Sequence, residues 1–194
     1  MQSPFQFVGG ALALDFINTV GNRRDVAKRR DYLATPADAR TWLVAAGLER
    51  DPTATGRLSR HQLRAALDLR ECLCRVFSAV ADNCPPAAGD LKRIDRVAAV
   101  GRAARLLASV GDRFEWRWKP MAAWDRALFR IAIDAVDLLL SDTRPLIRRC
   151  SDESCGWLFI DQSPGRRRRW CSMADCGNRA KARAHYDRRR RASG

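Results

Sequence analysis

With 194 residues, 46% of them apolar and including six Trp and seven Phe, the chain can bury one good core and a small appended module, which excludes intrinsic disorder. No stretch is long and apolar enough to cross a bilayer and the N-terminus lacks the basic segment of a secretory signal, so no membrane partner and a cytoplasmic location are expected. The net charge of +14 is unevenly spread: 13 basic and 5 acidic residues lie from Pro145 onward, against 23 and 17 before it, the distribution of a footprint for a polyanion.

In chain order, "FQFVGG" (residues 5–10) alternates apolar and polar positions and predicts a short strand. "ALALDFINTV" predicts a short helix closed by Gly21 and Asn22. Thr35 and Asp38 form a capping box with Pro36 at the first helical position, and Gly47 ends that second helix. Ser59 and Gln62 form another, opening a long helix over residues 60–81 whose apolar face takes in Leu63, Ala66, Leu67, Cys74, Phe77 and Ala81. "NCPPAAGD" ends it, because paired prolines cannot continue a helix.

Residues 90–110 begin with helical spacing (Leu91, Ile94, Val97, Ala98), and residues 103–110 fit either helix or strand. "RFEWRW" has period two, with Phe114, Trp116 and Trp118 on one side, and predicts a half-buried strand that Gly111-Asp112 turns into a hairpin. "AWDRALFRIAIDAVDLLLSD" is helical again, and "SDTRP" (residues 141–145) is the best boundary. The fold class is mainly α with a small β element (α+β), divided into a helical domain over residues 1–144 and a small module over residues 145–194.

That module carries the chemistry. Cys150, Cys155, Cys171 and Cys176 stand as two C-x4-C pairs. In a reducing compartment close cysteine pairs point to metal rather than disulfides, and four thiolates suit one tetrahedral Zn2+. Strand-like sequence flanks the first pair, while Ser172 and Asp175 cap a helix that begins directly after Cys171. Hairpin, turn and helix with ligands from the hairpin and the helix start make a treble clef. Such an ion is structural, since no coordination position stays open for water. Cys72, Cys74 and Cys84 lack this spacing and are expected to pack.

Residues 168–191, "RRWCSMADCGNRAKARAHYDRRRR", resemble the CGNR zinc-finger family, whose name is spelled by Cys176, Gly177, Asn178 and Arg179. The match extends back through "IRRCSDESCGWLFIDQSPGRRRRWC". In that family the finger follows an ABATE domain, and "FQFVGGALALDFINTV", "LATPADARTWLVAAGL" and "FEWRW" are similar to its landmarks. The resemblance implies a stress-induced transcription regulator.

Past the metal the sequence continues as a basic helix. Arg179 and Arg183 align at i and i+4, Lys181 and His185 form another row, Arg166, Arg167, Arg168 and Arg169 precede the helix, and Arg188, Arg189 and Arg190 end it. Such a helix fits a DNA major groove, and Arg grips phosphate or guanine, with Asn178 as a contact to adenine or a bond within the knuckle. The leading expectation is a regulator that binds double-stranded DNA, its first domain sensing a small-molecule effector or forming a homodimer. The alternative is a zinc-finger adaptor for RNA or an acidic protein surface. Asp15 and Asn18, one turn apart in an apolar helix, are either ligand-binding residues walled by the Trp-rich strand, or structural, Asp15 pairing with an Arg and Asn18 closing the helix. No phosphate loop, nucleophile elbow or paired-carboxylate motif occurs, so an enzyme is not expected.

Overall fold

The computed structural model describes residues 5–50 and 58–192. Residues 1–4, 51–57 and 193–194 of the two domain ranges lie outside them. Six α-helices and three two-stranded antiparallel sheets follow one another along the described chain, which is the mainly α, α+β class.

Local chemistry fixes the helix starts. Before α2 (Pro36–Ala45), Thr35 and Asp38 exchange bonds, the hydroxyl accepting from the Asp38 N–H at 3.2 Å and the carboxylate from the Thr35 N–H at 2.9 Å. Ser59 and Gln62 repeat the exchange at 3.1 and 3.0 Å before α3 (Arg60–Ala81). Each pair satisfies N–H groups that the helix cannot. α4 (Ala88–Ala103) and α5 (Ala123–Leu140) pack side by side, and Gly101 lets them meet: a Cβ there would lie 2.6 Å from the Phe129 Cβ.

The core gathers α1 (Leu12–Ile17), α3 and α5 around Phe16, Ile17, Leu73, Phe77 and Ile131. The buried side of α3 is broader than its expected stripe, because α1 and α4 both pack on it. Leu69, Cys72, Leu73 and Val76 are buried, whereas Leu67, Cys74 and Ala81 are only half-buried. Arg70 is buried as well, 2% exposed in the middle of that face.

Two local expectations fail. Residues 5–10 form no strand, because Gly10 (φ +80°) bends the chain into α1 and leaves the Gly9 carbonyl a single partner in the last sheet, the Ile160 N–H at 2.9 Å. The second concerns the hairpin of β3 (Arg105–Val110) and β4 (Arg113–Trp118), which forms in the expected place around Gly111 (φ +63°). It also settles residues 103–110: α4 ends at Ala103 and a strand follows. The hairpin is not half-buried. Phe114 is 75% and Trp116 61% exposed; Trp118 alone of that face turns inward, stacking on Phe129 at 6.5 Å. The hairpin projects beyond the helices, and among the described residues nothing buries its outer two-thirds.

β1 (Val20–Gly21) and β2 (Arg30–Asp31) pair as a short ladder, and β5 (Ile147–Arg149) pairs with β6 (Leu158–Ile160) in the register Ile147 to Ile160. Ile147, Leu158 and Ile160 are buried in the same core as α1 and α3. No linker separates this last sheet from the helical part. Among the described residues, no helix is long and apolar enough to cross a membrane.

Candidate metal centre and basic helix

β5 delivers Cys150 at its end, where the Cys150 N–H closes the hairpin on the Trp157 carbonyl at 2.8 Å. The loop between β5 and β6 is folded by Asp152, whose Oδ1 accepts from the Ser154 N–H at 3.0 Å and from its hydroxyl at 2.7 Å. That turn brings Cys155 back beside Cys150, and Gly156 (φ +74°) supplies the left-handed step into β6. Ser172 caps the next element by accepting from the Asp175 N–H at 3.3 Å. One wide π-type turn, Met173–Gly177, precedes α6 (Asn178–Ala192) and carries Cys176 inward. Gly177 is tight here: a Cβ would lie 2.5 Å from the Met173 Sδ.

The four sulfurs of Cys150, Cys155, Cys171 and Cys176 therefore converge, all within 4.8 Å of one another and all buried. Cys155–Cys171 and Cys171–Cys176 are each 3.6 Å apart. Four sulfurs at the usual Zn–S distance stand about 3.8 Å apart, so the set fits one tetrahedral zinc with no position left for water. Such an ion is structural and holds the hairpin to the start of α6.

The surrounding cations divide into two groups. Arg179 donates from Nη2 to the Cys176 Sγ at 2.9 Å and from Nε to Asp152 Oδ2 at 3.2 Å. Arg183 donates to the same Asp152 oxygen at 2.8 Å and to Glu153 at 3.3 Å. Arg168 lies over the Phe159 ring at 4.3 Å and donates to the carbonyls of Val8, Trp170 and Cys171. These three brace the finger, and about half of the Arg179 and Arg183 side chains stays exposed, at 50% and 45%. Asn178 donates to the Ala174 carbonyl at 2.9 Å, the knuckle bond of the two expected roles. By contrast Arg166, Arg167, Lys181, Arg188 and Arg190 are exposed with no ion pair among the described residues. Arg169 is exposed over the Trp170 ring, and Arg189 is exposed.

The N-terminal part joins this centre through a seam. Asn18, 3% exposed, clamps the backbone of Leu158, donating to its carbonyl at 2.8 Å and accepting from its N–H at 3.0 Å. The N–H groups of Arg23 and Arg24 bond the carbonyls of Cys155 and Ser154 at 2.9 and 3.1 Å, and the Trp157 indole donates to the Val20 carbonyl at 2.7 Å. Behind this loop Arg70 grips Asp31 with two bonds of 2.8 and 2.6 Å, while Arg23 is held on Glu71 at 2.7 Å. Sequence reasoning missed Arg70. Its signal was a charge on the apolar face of α3, one turn from Ala66 and Leu73.

Among the described residues, Asp15 and Asn18 do not wall a ligand pocket. The cavity beside them is about 10 Å3, lined by Phe5, Tyr32, Trp42 and Trp157, and no larger than a single water requires. The Trp-rich strand takes no part in it. Asp15 has no Arg partner either; it accepts from the Gly9 N–H at 2.8 Å, and burial pushes its pKa up to about 6. A groove of about 1020 Å3 opens instead between residues 22–28 and α6, where Arg24, Lys28, Arg183 and Tyr186 face one another. Cys72 is buried as expected, donating to the Asp90 carbonyl at 3.4 Å, but Cys84 is exposed in the turn after α3, its thiol 3.6 Å from the Asp82 carbonyl.

A closed four-sulfur centre between a hairpin and a helix start defines a zinc-finger protein of treble-clef form. Residues 147–189 match the CGNR zinc finger. The chain belongs to the ABATE family, described as "Putative stress-induced transcription regulator", which residues 10–142 match. No curated protein matches the chain.

Proposed function

We propose that this chain regulates transcription by gripping duplex DNA with α6 and the loop before it, and that it binds rather than catalyses. One observation carries the reading. α6 leaves the metal centre as a helix whose residues 181–190 are all exposed, with seven basic residues and one acidic over Asn178–Ala192. A helix with no apolar face has no core to join, so its stability and direction come from the knuckle at its N-terminus. Its width suits a major groove, and exposed cations release counterions when they meet phosphate.

The division among the arginines supports separate roles. Arg179 and Arg183 hold α6 to the metal loop, while Arg166, Arg167, Lys181, Arg188 and Arg190 meet the polyanion. Arg24 and Lys28 lie across the groove and add a basic edge from the N-terminal part.

The test is duplex binding by fluorescence anisotropy between low and physiological salt. Affinity should fall with a log–log slope of about −0.9 per phosphate neutralised. Replacing Lys181, Arg188 and Arg190 together by Ala should flatten that slope by roughly three with zinc content unchanged. Wild-type affinity and slope in that variant would remove α6 from the interface. Equal binding to every sequence over competitor would reduce the reading to nonspecific contact.

A further inference from the structure

The loop that faces α6 across the groove belongs to the N-terminal part and carries its own run of charge. Residues 23–30, "RRDVAKRR", hold five basic residues and one acidic. β1 and β2 close the loop at its base, where Gly21 pairs with Arg30. Within it the Asn22 amide donates to the Lys28 carbonyl at 3.0 Å, and the Lys28 N–H to the Asp25 carbonyl at 3.1 Å. The metal loop sets its position. The N–H bonds of Arg23 and Arg24 tie the two backbones, and Gly156 lets them touch, since a Cβ there would lie 3.0 Å from the Arg24 Cγ.

Arg23 turns inward onto Glu71, while Arg24, Lys28, Arg29 and Arg30 are exposed. Arg29 stands 4.0 Å from Glu71 and Arg30 lies over the Tyr32 ring, away from the groove wall. Arg24 and Lys28 line that wall. Lys28 meets Asp25 at 3.1 Å with 73% of its side chain exposed, and Arg24 has no ion pair among the described residues. Across from them stand Arg179, Ala182, Arg183 and Tyr186, whose i, i+3, i+4, i+7 spacing makes one side of α6. Two turns past Arg183 the same side reaches the exposed Arg190.

A small-molecule pocket is mostly apolar and encloses its ligand. This groove opens to solvent, and its walls carry four cations against two carboxylates, Asp25 and Glu153. Its occupant follows from the reading of α6 as the helix that enters duplex DNA, on which this inference rests. A major groove is about 12 Å wide, the width of a helix with its side chains, so a sugar–phosphate strand flanks such a helix on each side. On the Arg190 side of α6 the space for that strand is this groove.

We propose that one strand of the duplex runs between α6 and residues 22–28, with Arg24 and Lys28 on its phosphates. The N-terminal part then holds DNA directly, as the second jaw of a clamp whose first jaw is α6.

Salt titration of duplex binding by the zinc-loaded full chain tests this. Arg24→Gln with Lys28→Gln should flatten the log–log slope by about 1.8, two phosphate contacts, with zinc content and melting temperature unchanged. Lys28→Gln alone leaves the Arg24 stem against Gly156 and should flatten it by about 0.9. Arg93→Gln with Arg96→Gln removes equal charge from the exposed side of α4, outside the groove, and should keep the wild-type slope. Loop variants with the wild-type slope, or an α4 variant as damaging as the loop pair, would overturn the clamp. The triple Ala variant at Lys181, Arg188 and Arg190 separates the two readings. A slope that it flattens and the loop variants do not would sink the clamp alone, whereas a slope that it leaves unchanged would sink both.

Discussion

Asp152 carries two helix arginines on one buried oxygen and folds the metal loop with the other. Burial pushes its pKa up, but hydrogen bonds from Ser154 and Arg179 outweigh that and hold it below the ordinary carboxylate range. Asp152→Ala should release zinc to a chromogenic chelator about 10- to 100-fold faster, as loss of an outer-shell partner does. An unchanged release rate would make the contact incidental. The pH response divides by sign. Asp31 and Glu71 are pushed up by burial and pulled further down by Arg70 and Arg23, so their contribution is present above the unfolded value near 4 and lost as the pH falls below it. Asp15 works the other way: its pKa rises from 3.8 to about 6, so the fold loses stability as pH rises across that interval. Asp15→Asn keeps an oxygen for the Gly9 N–H. The melting temperature of that variant minus that of the wild type should therefore grow from pH 4 to 6 and stay level above; a constant difference would show that Asp15 is ordinary.

At the scale of elements, the features legible in the sequence were those that neighbours along the chain decide. Both capping boxes, the break at the paired prolines and the C-x4-C pairs lie within a few residues and form as read. The period of "RFEWRW" identified which side chains share a side, but periodicity carries no information about what lies over that side, and among the described residues only Trp118 is partly covered. The i and i+4 spacing of Arg179 and Arg183 aligned them correctly. Their use was hidden, because Asp152 comes from a loop 27 and 31 residues earlier in the chain. Asn18 was readable as a polar residue in an apolar helix, yet its partner lies 140 residues away. Gly101 tests the packing of α4 on α5. Alanine favours a helix over glycine by about 1 kcal/mol, but its Cβ would lie 2.6 Å from that of Phe129. Gly101→Ala should lose about 1–3 kcal/mol in urea unfolding. A stabilised variant would mean that the two helices part freely.

On the scale of the whole molecule, the finger and the helical part share one interior. Ile147, Leu158 and Ile160 lie among Phe16, Leu73 and Ile131. Stripping the metal should lower the melting temperature of a single cooperative transition seen by both far-ultraviolet and tryptophan signals. Two transitions, the upper one unmoved by chelator, would contradict the shared interior. The seam also bears on how the chain is made. Emerging from a ribosome, the first 140 residues hold every helix of the main body, but Asn18 has no Leu158 to clamp and one wall of the interior is missing. The native body closes only after the last strand has emerged, so synthesis stalled just short of it leaves a sticky intermediate, and a finger cut out at Ile147 carries an oily flank instead of a finished surface.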